Sequence, residues 1–216
     1  MRKDLRKGGR GVAGEPGGVA AGTEVLRYLS EIWQERMGER TPLAHEFVTE
    51  HRERWVRFHS LPESKRYASD QAERRTILER HYTVLGELFG DEDVVLMTTK
   101  WSYTPVPEPR TRFDLRINPG SVLWRSFLSQ DDPDPDFVVY AHVYVSWTSG
   151  SAGGLDRLLS AVAEYRTINV VIADRDLRRM YHPYDGGADV LALDTAERDA
   201  LRERHAAWLS RHPSGM

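Results

Sequence analysis

The chain has 216 residues, 40% hydrophobic and 29% charged, which is enough to bury one sizeable core in a single globular domain. Its 30 basic and 33 acidic residues leave a formal charge of −3, a near-balance that gives no general attraction to nucleic acid or an anionic membrane. There is no cysteine, which excludes disulfides, thiolate catalysis and Cys-ligated zinc, and no apolar run approaches the ~18 residues of a membrane span.

Residues 1–22 are rich in glycine and carry Arg2, Lys3, Arg6 and Lys7 with no apolar stretch behind them. They read as a disordered basic tail and not a signal peptide, so the expected location is cytoplasmic. A single α+β domain is expected over 23–216, with a helical part over 23–90. Thr23 is a plausible N-cap, and Val25, Leu26, Leu29, Ile32, Trp33 and Met37 share a helical face that ends at Gly38. Thr41-Pro42 would open a second helix with Phe47, Val48, His51, Trp55 and Phe58 turned inward. The stretch Arg57–Tyr67 then reads as a loop broken by Pro62, its charges either suited to anions or paired with Glu63. Asp70 and Glu73 have capping-box spacing for a third helix, which Gly90 closes.

Val94–Met97 has the apolar run of a buried strand. Residues 101–136, punctuated by six prolines, are expected to form a long loop. Its Arg110, Arg112, Arg116 and Arg125 would pair with Asp131, Asp132, Asp134 and Asp136 or, in a weaker reading, bind nucleic acid. Val122, Leu123, Trp124 and Phe127 would pin a short helical segment. Phe137–Trp147 alternates as a strand, placing His142 on its half-polar face. The loop Gly150–Gly154 lacks the Lys-Ser/Thr of a phosphate-binding loop and reads as a flexible connection to an amphipathic helix at Leu155–Val162. Ile168–Ala173 is a further strand, and Asp194 with Glu197 caps a last helix. The order implies an antiparallel or mixed sheet of about five strands packed with helices.

The densest cluster of aromatic, titratable and turn residues is Tyr181-His182-Pro183-Tyr184-Asp185-Gly186-Gly187-Ala188-Asp189-Val190. It reads as a hairpin whose Asp-Gly-Gly turn supplies positive φ angles. Pro183 cannot donate to a ladder, so its strand should lie at an edge, begin there or be interrupted. Together with His59 and Arg66, the residues Tyr181, His182, Tyr184, Asp185 and Asp189 form the candidate functional surface. One role open to His182 is a base oriented by an aspartate; its simpler role is structural, donating to a backbone carbonyl within the hairpin. His142 and His182 could meet Asp185 or Asp189 at a metal, but spacing alone defines no such site, and no metal or cofactor is expected. G-x-S-x-G and H-E-x-x-H are both absent.

The segment Tyr181–Val190, with Glu197-Arg198-Asp199, Leu201 and Trp208-Leu209 after it, resembles the C-terminal part of an uncharacterised bacterial family, domain of unknown function 3885. Trp55-Val56-Arg57-Phe58-His59-Ser60-Leu61-Pro62-Glu63-Ser64-Lys65-Arg66-Tyr67 is similar to a stretch of the same proteins. The resemblance spans roughly 50–216 and implies a bacterial cytosolic α+β protein, with no catalytic residue carried over. The leading expectation is a non-enzymatic protein-binding chain of the neutralising or regulatory kind, since Tyr, Trp and Arg favour interfaces. The alternatives are a small hydrolase or metal-dependent enzyme built on His182, Asp185, Asp189 and His59, and nucleic-acid binding.

Overall fold

A computed structural model describes residues 17–44, 46, 51–150 and 153–210. Seven strands form one sheet: β1 (Trp55–His59), β2 (Asp93–Ser102), β3 (Val122–Gln130), β4 (Val139–Ser149), β5 (Val171–Ala173), β6 (Met180–Tyr184) and β7 (Gly187–Leu191). Their spatial order is β1-β7-β6-β5-β2-β4-β3, and every neighbouring pair is antiparallel. The helices whose bounds are described are α1 (Gly17–Met37), α2 (Gln71–Phe89), α3 (Arg112–Ile117), α4 (Asp156–Ala163) and α5 (Thr195–Arg204), and Ala44 and Glu46 are also helical. The α+β class and the antiparallel sheet are as expected, with seven strands in place of about five.

The two additional strands are the sheet edges, and each corrects an expectation. Trp55 and Phe58 belong to β1, not to a second helix; their i, i+3 spacing imitates a helical face. The strand prevails because it pairs with β7 over five residues and is packed on both faces, with Trp55, Val56 and Phe58 all buried. Phe47, Val48 and His45 lie outside the described residues. Similarly, 101–136 is not a structureless loop. Thr111 and Asp114 form a capping box that starts α3, and Val122–Gln130 is a strand, not a helical segment. Register shifts between Leu123 and Arg125 and between Leu128 and Gln130 break its two-residue alternation, which hid it in the sequence.

Two apolar layers flank the sheet. On one face, α2, α3, α4 and α5 pack on Val56, Phe58, Val94, Leu96, Ile172, Tyr181 and Val190. On the other, Leu29, Trp33 and Met37 of α1 pack on Val95, Met97, Val143, Val145 and Val171. Trp33 is fully buried, donates Nε1–H to the Arg40 carbonyl at 2.9 Å, and meets Trp124 edge to face at 5.4 Å. Helix α1 starts at Gly17, so Thr23 lies within it instead of capping it, and 17–22 are helical where a tail was expected. Three of these six residues are glycines, each about 1 kcal/mol worse than alanine in a helix, so local propensity argued against the helix that forms. Residues 1–16, and Ser151 and Ala152 of the Gly-Ser connection, lie outside the described residues.

The cap signals of α2 and α5 held, unlike that of Thr23. Asp70 accepts from the Glu73 amide at 2.9 Å, Asp194 accepts from the Glu197 amide at 2.8 Å, and Gly90 ends α2 at φ +58°. No described helix is long and apolar enough to cross a membrane.

Candidate functional site

The β6–β7 hairpin forms as expected, around a two-residue turn at Asp185-Gly186. Its glycines serve a different purpose from the one expected. Neither Asp185, Gly186 nor Gly187 has φ in the left-handed region. Gly187 is needed for close approach: a Cβ there would sit 2.0 Å from the Phe58 carbonyl oxygen of β1. Pro183 lies in an interior strand whose outer pairing is interrupted. The closing pair Tyr184–Gly187 exchanges hydrogen bonds, so alternation turns Pro183 away from β7, and β5 pairs only with Met180 and Tyr181. His182 fills the gap by donating Nδ1–H to the Val170 carbonyl at 2.7 Å, a structural role as expected but with an acceptor outside the hairpin.

The remaining polar groups of the hairpin saturate one another. Asp189 receives Arg57 Nε–H at 2.7 Å, Arg57 Nη2–H at 2.8 Å and Trp55 Nε1–H at 2.8 Å. The hydrogen bond to this carboxylate raises the Arg57 pKa against the opposing effect of burial, and the guanidinium lies 5.1 Å from the Tyr184 ring centre. Burial pushes the Tyr184 hydroxyl pKa well up. At the turn, buried Asp185 accepts from Tyr67 O–H at 2.7 Å and forms an ion pair with Arg66, whose Nε lies 2.9 Å away. Tyr181 points into the opposite layer, where its hydroxyl meets His81 Nδ1 at 2.6 Å. Burial lowers the His81 pKa to about 4, so the imidazole is neutral.

His59 stands apart from this cluster. It lines a pocket of about 380 Å³ with Leu61, Glu63, Ser64 and Trp208, which contains none of His182, Asp185 and Asp189. Glu63 and Ser64 hold φ of +56° and +58° there, a left-handed conformation costing about 1 kcal/mol each. Burial, and secondarily Arg57, lowers the His59 pKa. The seven candidate residues are thus divided over two faces of the sheet, the turn and a separate pocket. They do not converge as an acid–base set. His142 lies on the Tyr181 face, opposite His182, so those two histidines do not meet. Among the described residues no group of three or more His, Asp and Glu could hold a metal.

The chemistry that sequence reasoning missed lies at the other end of the sheet. The side chain of His142 is fully buried on β4, with Nε2 2.8 Å from Ser102 Oγ on β2 and Nδ1 2.8 Å from Ser126 Oγ on β3. Burial is the main cause of its lowered pKa, with Lys100, its cross-strand partner, acting the same way and a hydrogen bond to the Thr104 carbonyl opposing them. Nearby, buried Asn118 donates to Thr98 at 2.9 Å and accepts from Ser146 at 2.5 Å. The pairing of β3 with β4 brings Ser126 to His142, and a strand assignment for 122–130 would have been the signal. The arginines do not form the expected partnership with Asp131, Asp132, Asp134 and Asp136: no such ion pair exists among the described residues. Arg110 stacks 4.8 Å from Tyr144 on one face, while Arg125 stacks 4.6 Å from Trp124, which packs into the other layer. They make no common phosphate track.

The fold defines an antiparallel α+β sheet protein whose polar hairpin is internally paired. Residues 43–213 match the family model described as Domain of unknown function (DUF3885), and the chain belongs to that family. No curated protein and no solved structure matches the chain. All of α1 lies before the matched residues, yet it supplies most of the helical cover of one sheet face among the described residues.

Proposed function

We propose that this DUF3885 protein is a protein-binding module of the bacterial cytoplasm that takes an extended segment of its partner along β3. The observation that carries the reading is the concentration of exposed apolar side chains at this edge. Val122, Leu123 and Leu128 are exposed on a nine-residue strand that, among the described residues, has a neighbour on only one side. The row Ser102–Tyr140–Leu128 sets the ends of β2 and β3 beside the start of β4, and there Tyr103 is 71% and Phe137 59% exposed. An edge with backbone groups open to pairing and exposed apolar side chains is suited to strand addition, in which the backbone supplies affinity and side chains supply selectivity. Its two register shifts shorten the regular run and oppose indiscriminate edge-to-edge pairing.

The test is recovery of a stoichiometric partner on the tagged chain expressed in its native cell. The wild type should retain that partner and Leu128→Lys should lose it, because a lysine at the edge opposes strand pairing. Recovery of the bait alone, or equal recovery by both chains, would refute the reading.

A further inference from the structure

We propose that Ser126 is a nucleophile activated by His142, directed at carboxylic esters that carry negative charge. The inference is independent of the binding reading and rests on the hydrogen-bond valence of three side chains. Ser102 has one hydroxyl hydrogen, and it is given to the Thr104 carbonyl at 2.7 Å. Toward His142, 2.8 Å away, Ser102 is therefore the acceptor, and Nε2 must carry a hydrogen. In the neutral ring Nδ1 is then a lone pair, and the Ser126 hydroxyl 2.8 Å away donates to it.

This is the arrangement that nucleophilic catalysis needs: an exposed hydroxyl, a base within hydrogen-bond reach, and a third group fixing the base's tautomer. The three members differ in access as those roles require. Ser126 is exposed, whereas His142 is fully buried and Ser102 is buried at the strand end. Lys100 stands directly opposite His142 and disfavours its protonation, keeping the base in its working form. The preference for anionic esters comes from Arg110. Its guanidinium lies over the ring of Tyr144, two positions along β4 from His142 on the same face, and has no carboxylate partner among the described residues.

In the step, Ser126 Oγ bonds to the ester carbonyl carbon while its proton passes to His142 Nδ1. Collapse of the adduct breaks the bond to the leaving alkoxide, which takes that proton and departs as the alcohol. Water, deprotonated by the same nitrogen, then releases the acid and restores Ser126.

A fluorophosphonate probe tests this on the full chain. Attack forms an Oγ–P bond, expels fluoride and passes the proton to His142. Native protein should carry one adduct, mapped by mass spectrometry to Ser126, which is lost in Ser126→Ala and in urea-unfolded wild type. His142→Asn should slow labelling by roughly 100-fold while the circular dichroism spectrum is kept. Ser102→Ala should slow it, and Ser102→Thr should restore it, an outcome that loss of packing alone would not give. Failure of Ser126 to label, or labelling no faster than at other exposed serines, overturns the proposal whether or not a partner is found on β3. With 4-nitrophenyl esters, the succinyl monoester should turn over faster than the acetyl ester; equal rates would overturn the assigned charge preference.

Discussion

The two ends of the sheet use similar residue types in opposite ways. In the β1–β7–β6 end, Arg57, Trp55, Asp189, Arg66, Tyr67 and Asp185 satisfy one another, and the outcome is a brace. In the β2–β4–β3 end, a buried imidazole presents its free electron pair to an exposed hydroxyl, and apolar side chains stand open at the edge. The brace is crowded in sequence because a two-residue turn brings near neighbours together. The other cluster joins Ser102, Ser126 and His142, each ordinary in its local context, through sheet pairing. Local density of chemical groups therefore marked the part of the molecule whose polar groups are already paired.

The sharpest way to break this contrast is to damage the brace. Gly187→Ala places a methyl against the Phe58 carbonyl at 2.0 Å and is expected to cost about 3 kcal/mol or more in urea unfolding. Little change would mean that β1 can move away from the hairpin. Asp189→Ala leaves the partly buried Arg57 and the Trp55 indole unpaired, and the expected loss is about 3 kcal/mol.

A smaller effect comes from His81 beneath Tyr181. Its folded pKa of about 4 lies below the ordinary 6.5, so between these values the unfolded chain binds more protons. Its contribution is then fully present above about pH 6.5 and is lost as pH falls toward 4, about 2 kcal/mol by pH 5. His81→Leu should flatten that part of the stability profile; an unchanged slope would assign it to other groups. Arg66→Ala at the turn should cost below about 1 kcal/mol, because the arginine side chain is 62% exposed. Leu128→Lys at the other end should change stability by no more than about 0.5 kcal/mol, since it removes an exposed side chain.

Legibility in the sequence followed the range of the interactions. Asp70–Glu73, Asp194–Glu197 and the alternation of Phe137–Trp147 are local signals, and helices α2 and α5 and strand β4 formed where they pointed. The hairpin was legible for the same reason, although Gly187 answers to a neighbouring strand and not to the turn. Strands β1 and β3 were not. Trp55 and Phe58 have helical spacing and are fixed as a strand by pairing with Leu191 and Ala188, far along the chain. The register shifts in β3 erased the period that would have revealed it, and with it the meeting of Ser126 and His142.

The division between a braced hairpin and a functional β3 edge is tested most directly by partner recovery from native cells with three chains in parallel. Wild type and Arg66→Ala, which alters only the exposed tip of the hairpin, should retain the partner equally, and Leu128→Lys should lose it. Retention by Leu128→Lys together with loss by Arg66→Ala would place the binding surface on the hairpin and contradict the account.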